Sequence, residues 1–242
     1  MSDATLIFNS VKEYPDMIKI AIYHEPLRLG SSHSDKRKRR KDAECSQSSI
    51  IRTRTTIQDL CLCNNFDLFC TFTFDPKRYE CRKIAWCQKY MNTWCHNAKA
   101  RHSKRLQYLI VPERHKSGAI HFHALLKGFE GRLKDSGHKQ GGRIIYNIPN
   151  WHFGFSTAVK IDNQEAVSCY IRKYITKDMI LLPSSKRYYC SQGLSRPVKT
   201  HNRSGLIPFL KCVSSHFFVD DDAEYYTIFK KDIDAVHNAM LQ

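Results

Sequence analysis

The chain has 242 residues, with 39 Lys and Arg against 23 Asp and Glu, a formal charge of +16. At 42% hydrophobic it can bury a core, which excludes disorder throughout. No apolar run reaches the roughly 18 residues of a membrane span, and Met1–Ser10 lacks the basic-then-apolar plan of a signal peptide.

The positive excess favours a polyanionic partner, and nucleic acid fits it best. Ten cysteines include no Cys-x-x-Cys pair, so reduced thiols are expected, with Cys70, Cys87 and Cys95 acting as small apolar core residues.

Residues 1–56 read as a basic N-terminal extension. It holds a short apolar stretch, Met17 to Tyr23, and the run Lys36, Arg37, Lys38, Arg39, Arg40 and Lys41. Adjacent cations repel, so the run is expected to be a mobile arm. It would be a phosphate grip, a solvated linker, or a nuclear address in a eukaryotic host.

Residues 57–200 read as the main domain. Leu68, Cys70, Phe72 and Phe74 alternate with Phe69, Thr71 and Thr73, a strand with one buried face. Asp75-Pro76 is expected to start a helix, with Ile84, Cys87, Met91, Trp94 and Ala98 as its apolar stripe. Strands Leu106–Glu113 and Ala119–Lys127 come next, around the turn residues Lys116-Ser117-Gly118. A basic loop, Gly128 to Arg143, leads to a strand at Gly154–Ile161.

Asp162-Asn163-Gln164-Glu165 has the form of a capping box, opening a helix expected to reach about Asp178. The fold class is therefore α+β, an antiparallel central sheet with flanking helices on one side. Residues 201–242 read as a C-terminal extension, and its acidic Asp220–Glu224 run as a solvated face.

The sharpest pattern is Ile120-His121-Phe122-His123-Ala124. On a strand, residues two apart share a face, so His121 and His123 project together while Ile120, Phe122 and Ala124 enter the core. Two imidazoles on one side of a sheet are half of a divalent-metal site. If Glu113 pairs opposite His121 across the turn, it supplies a third ligand; without that carboxylate the histidines would be ordinary polar residues.

On the capped helix, Tyr170 and Tyr174 lie one turn apart, with Lys173 and Lys177 beside them and Val167, Ile171 and Ile175 on the neighbouring apolar stripe. Half-buried tyrosines with snorkelling lysines would suffice to explain this ridge. Beside a metal site, a phenol can also serve as a nucleophile. Arg132, Lys134, Lys139 and Arg143 form a candidate DNA grip. Tyr146, Trp151 and Phe153 could stack on unpaired bases, although core packing suits most of them better.

These features resemble the HUH endonucleases that initiate rolling-circle replication, especially those of filamentous phages and microviruses. Three motifs carry the resemblance: Phe72-Thr73-Phe74-Asp75-Pro76, then His121 and His123 with Glu113, then Tyr170 and Tyr174. The segment Lys186 to Leu194 resembles the stretch downstream of the tyrosine helix in phage-type members, and the whole likeness spans Asp67 to Pro197.

The resemblance implies a divalent cofactor, Mn²⁺ or Mg²⁺, held by Glu113, His121 and His123. It also implies a tyrosine that cuts single-stranded origin DNA, leaving a 5′-phosphotyrosine link and a free 3′-OH. Lys173 or Lys177 would stabilise the charge that develops. No phosphate-binding Gly-x-x-x-x-Gly-Lys-Ser/Thr loop occurs, so a separate helicase and polymerase, supplied by the host, are expected. The expected place of action is the host cytoplasm. Rival readings are an HUH transposase or relaxase, and a non-catalytic nucleic-acid-binding module. A relaxase usually puts its tyrosine ahead of the histidines, and an RRM-like module would expose aromatics on the sheet where this chain offers histidines.

Overall fold

A computed structural model of the chain describes residues 5–29, 47–171, 173, 187–202, 216–219 and 223–232. The elements in order are β1 (Thr5–Glu13), β2 (Met17–Leu29), α1 (Gln47–Cys63), β3 (Leu68–Phe72), α2 (Ile84–Arg101), β4 (Gln107–Arg114) and β5 (Ile120–Lys127). Then come β6 (Lys134–Gln140), β7 (Arg143–Asn147), β8 (Ser156–Lys160), α3 (Gln164–Ile171), β9 (Tyr189–Cys190), β10 (Val198–His201), β11 (His216–Val219) and β12 (Ala223–Phe229). They fall into two compact units, residues 44–195 and residues 1–43 with 196–242.

The larger unit is built on a seven-stranded sheet, β6-β7-β8-β3-β5-β4-β9, whose neighbours all pair antiparallel. The expected α+β class therefore holds. Alternation along β3 buries Leu68, Cys70 and Phe72 against Ile110, Phe122 and Ala124 of the adjoining strands. α2 covers that face with Cys87, Met91, Trp94, Cys95 and Ala98, the stripe read from the sequence. Cys70, Cys87 and Cys95 are buried free thiols. Burial pushes the latter two up to about 12, so they stay protonated and pack as apolar groups.

Four expectations are corrected. First, α2 starts at Ile84, not at Pro76. The Asp75 carboxylate accepts from the Lys77 amide at 3.0 Å and the Asp75 carbonyl from Tyr79 at 3.0 Å, which makes an isolated turn. Second, helices cover both faces of the sheet. Ile50, Ile57, Leu60 and Cys61 of α1, with Ile171 of α3, bury Leu109, Val111 and Leu125 on the face opposite α2.

Third, the basic loop contains the β6–β7 hairpin, turned by Gly141 and Gly142 at φ of 55° and 78°. Two consecutive left-handed residues are what a tight hairpin turn needs. Fourth, the cap of α3 is Asn163, whose Oδ1 accepts from the Ala166 amide at 2.9 Å. Asp162 instead holds Arg143 through contacts of 2.8–3.0 Å. The expected continuation of α3 to Asp178 lies outside the described residues, apart from Lys173.

α1 and the chain beyond β9 are fastened by Asn64, which is buried. Its amide donates to Leu60 O at 2.8 Å and Ser195 O at 2.9 Å, and its Oδ1 accepts from Ser195 N at 2.9 Å. The boundaries expected at 56 and 200 thus fall inside α1 and β10, whereas the compact unit runs from 44 to 195.

The smaller unit is a five-stranded antiparallel sheet, β10-β1-β2-β12-β11. Val11, Ile20, Tyr226 and Ile228 cluster on one of its faces. Segments read as two separate extensions are therefore partners in one sheet. The arm Lys36–Lys41 lies outside the described residues.

Gly154 shows how tightly the end of β3 is packed, because a Cβ there would lie against the carbonyl of Thr73 and the amide of Asp75. Both obstacles are backbone, so relief requires the strand end to move. Gly154→Ala should cost about 1–3 kcal/mol of stability, read as a lowered urea midpoint at unchanged slope.

Candidate active site

The β4–β5 hairpin turns through His115–Ala119, with Gly118 at φ 85°. This turn sets a register in which Glu113 lies directly opposite His121, the pairing the sequence suggested. α1 and α3 cover the same face only over Leu109, Val111 and Leu125. Beyond that cover lie Glu113, His121 and His123, with Thr71 of β3 paired opposite His123.

His123 has two polar partners. Its Nε2 lies 2.7 Å from Glu113 Oε2, and its Nδ1 lies 3.2 Å from Thr71 Oγ1. Its side chain is 6% exposed against 38% for Glu113. Burial holds the imidazole below its ordinary value of 6.5, and this outweighs the opposing pull of the Glu113 carboxylate. The ring is therefore neutral at pH 7. A carboxylate only accepts, so Nε2–H donates to Glu113 and Nδ1 accepts from the Thr71 hydroxyl.

His121 is also held low, by burial first and by neighbouring His115 second, against Glu113. The His115 and His121 rings stack with centroids 5.2 Å apart and planes at 4°.

Both depressed values make stability depend on pH. Unfolded histidines bind a proton near 6.5 while these two do not, so the unfolded state takes up more protons as pH falls below that point. Their contribution to stability is present above about pH 6.5 and is lost as pH drops toward the folded values. The wild-type urea midpoint should fall between pH 7.5 and pH 5.5 by more than that of His123→Gln, and equal falls would show that His123 is not held neutral.

Among the described residues no group of three His, Cys, Asp or Glu side chains is arranged to hold a metal ion as it stands. The chemistry of the donors nevertheless fits a divalent cation: two neutral imidazoles and a carboxylate on one sheet face. Bonds of about 2.1 Å at a right angle place two ligand atoms roughly 3 Å apart, close to the His123–Glu113 separation. For Nε2 to act as a ligand its proton must move to Nδ1. Thr71 tolerates either tautomer, because a hydroxyl can accept as readily as it donates.

Phe69 links this cluster to the helix. Its ring stacks on His123 at 6.1 Å and 9° and meets Tyr170 edge-on at 5.2 Å. Tyr170, 39% exposed, stands at the end of α3, whose Ile171 is fully buried beneath it. The Lys173 ammonium lies 4.5 Å from the Tyr170 ring centroid. Glu113, His121, His123, Tyr170 and Lys173 are thus joined through one aromatic bridge. Tyr174 and Lys177 lie outside the described residues.

Arg132, Lys134, Lys139 and Arg143 are all exposed on or beside the β6–β7 hairpin, with Arg143 paired to Asp162. Trp151 and Phe153 are buried core residues, and Tyr146 packs against the same core.

Phe69, Thr71 and His115 were missed as site residues. The signal for the first two was present, since they occupy the mixed face of β3, but which strand lies beside β3 is not encoded locally.

Among the described residues no helix is long and apolar enough to cross a membrane. No curated protein and no solved structure matches the chain. The family model of replication-associated proteins of the ORF2 type matches residues 67–179, a span that contains Phe69, Thr71, the hairpin with its glutamate and histidines, and the tyrosine helix. The domain formed by these residues accordingly belongs to the ORF2-type family of replication-associated proteins.

Proposed function

We propose that this protein initiates rolling-circle replication by nicking single-stranded origin DNA with a tyrosine of α3 or its continuation. The supporting observation is the aromatic bridge, in which Phe69 contacts both His123 of the imidazole–carboxylate cluster and the Tyr170 ring. A nucleophile and an electrophile-binding group must meet at one phosphate, and one shared side chain keeps the two near each other.

In this reading Glu113, His121 and His123 hold a manganese or magnesium ion. When bound, the ion polarises the scissile phosphate and offsets charge on the departing 3′ oxygen. The phenol oxygen of Tyr170 or Tyr174 attacks phosphorus and gives up its proton. The bond from phosphorus to the 3′ oxygen breaks, that oxygen takes up a proton, and a 5′-phosphotyrosine and a 3′-OH primer remain. Lys173 sets positive charge beside the phenol as negative charge grows there. Lys177, the basic hairpin and the Lys36–Lys41 arm would add phosphate contacts. Unwinding and extension would come from a host helicase and polymerase in the cytoplasm.

The test is to incubate the protein with single strands tiled across the origin of its replicon, with and without Mn²⁺. A metal-dependent covalent adduct on a denaturing gel is expected. Non-covalent binding of every strand with no adduct would favour the non-catalytic module.

A further inference from the structure

We propose that a cleft beside Tyr170 seats one unpaired base of the strand being cut, and that it prefers cytosine to thymine. The inference rests on the initiator reading for its biological setting and on separate residues for its chemistry.

The cleft has a volume of about 320 Å³ and is lined by Phe69, Val159, Ala166, Val167, Asp162 and Asn163, among others. That volume is at the lower end of small-ligand pockets, so it suits a single base. Its floor is apolar and built in by the fold: Val159 pairs opposite Phe69 in the sheet, and both Phe69 and Val167 pack on the core beneath α1 and α3.

Two walls differ in character. On one side stands Tyr170, which closes the cleft toward the candidate site. On the other is the tip of the β6–β7 hairpin, where a Cβ on Gly141 or Gly142 would meet nothing within 4 Å. A strand can therefore enter from the hairpin side. Lys160 lines the cleft, and it is exposed together with Lys134 and Lys139 of the hairpin. These cations match a phosphate backbone running toward Tyr170.

The rim supplies the selectivity. Both oxygens of Asp162 accept from Arg143 at 2.8–3.0 Å, yet the side chain remains 65% exposed. A carboxylate accepts from the exocyclic amino group of cytosine, whereas thymine presents a carbonyl at the same position. Arg143 holds the carboxylate in place at the mouth, and the two pyrimidines match in size, so shape alone does not separate them.

The experiment measures fluorescence anisotropy with labelled dC and dT homopolymers of about 12 nucleotides, in chelator so that no strand is cut. Wild type should bind the dC strand about tenfold more tightly. Ala166→Leu fills the cleft from an exposed helix position and should reduce the ratio to about one, while Ala166→Ser should keep it. Asp162→Asn should reduce the ratio without filling the cleft, and it decides the matter if Ala166→Leu fails to fold by thermal unfolding.

Equal affinity of wild type for both strands, or a preference that survives in Asp162→Asn, overturns the proposal. The two readings fail separately. A cytosine preference without any covalent adduct keeps the cleft and removes the nicking chemistry. An adduct formed without preference does the reverse.

Discussion

The double variant Tyr170→Phe, Tyr174→Phe is expected to form no covalent adduct with origin single strands, whereas each single variant keeps measurable cleavage. Removing a nucleophile that forms the covalent intermediate costs on the order of 10⁶ in rate, so the double variant should fall to background. The singles fall less, because a ridge with two phenols one turn apart lets the remaining hydroxyl reach the phosphate after a small shift of the DNA. Phenylalanine keeps the edge-on contact with Phe69 and the ring beneath Lys173, so lost activity reports on the hydroxyl. Mass spectrometry of the trapped phosphopeptide would show which oxygen carries DNA. An adduct in the double variant would place the nucleophile elsewhere.

His121→Ala should lower cleavage by roughly 10²–10³-fold, the worth of several kcal/mol of charge stabilisation. DNA binding should stay close to wild type, since phosphate contacts elsewhere supply most of it. His121 is the cleaner choice of the two histidines. It is half-buried and stacks on His115, so its loss leaves a solvent-filled gap. His123→Ala also deletes hydrogen bonds to Glu113 and Thr71 and the stack on Phe69, which mixes lost stability with lost function. Titrating Mn²⁺ into both proteins checks the cause. Equal half-saturation in wild type and His121→Ala would remove His121 from the ligand set.

The parts of the site that lie close in sequence were legible in it. Glu113 and His121 are eight positions apart around one tight turn, and alternation along both strands then fixes their common face. Phe69 and Thr71 come from a strand some fifty residues earlier, and their neighbours depend on how the whole sheet assembles. α1 was hidden for another reason. Thr53, Thr55, Thr56 and three β-branched isoleucines lower its helix propensity, and Thr53 and Thr56 turn their hydroxyls back onto carbonyls four residues earlier at 2.9 Å. The helix is held by burial of Ile50, Ile57, Leu60 and Cys61, a tertiary effect. Misplacing the cap of α3 by one residue had a similar cause, because Arg143 of a distant strand had already claimed Asp162.

Ile171 is fully buried, and Tyr189 and Cys190 are hydrogen-bonded into the sheet beside β4. The stretch carrying Tyr174 therefore starts and ends at fixed points of the same unit. Tyr174 comes three residues after Ile171, so its Cα stays within about 11 Å of that anchor however the chain is arranged. One hydroxyl confined to such a sphere has an effective molarity on the order of 0.1 M. A second molecule of the protein at micromolar concentration offers its tyrosines at about a hundred-thousandth of that. On the proposed chemistry, resealing the circle would then be a first-order event within one polypeptide, with a rate that does not change as the protein is diluted.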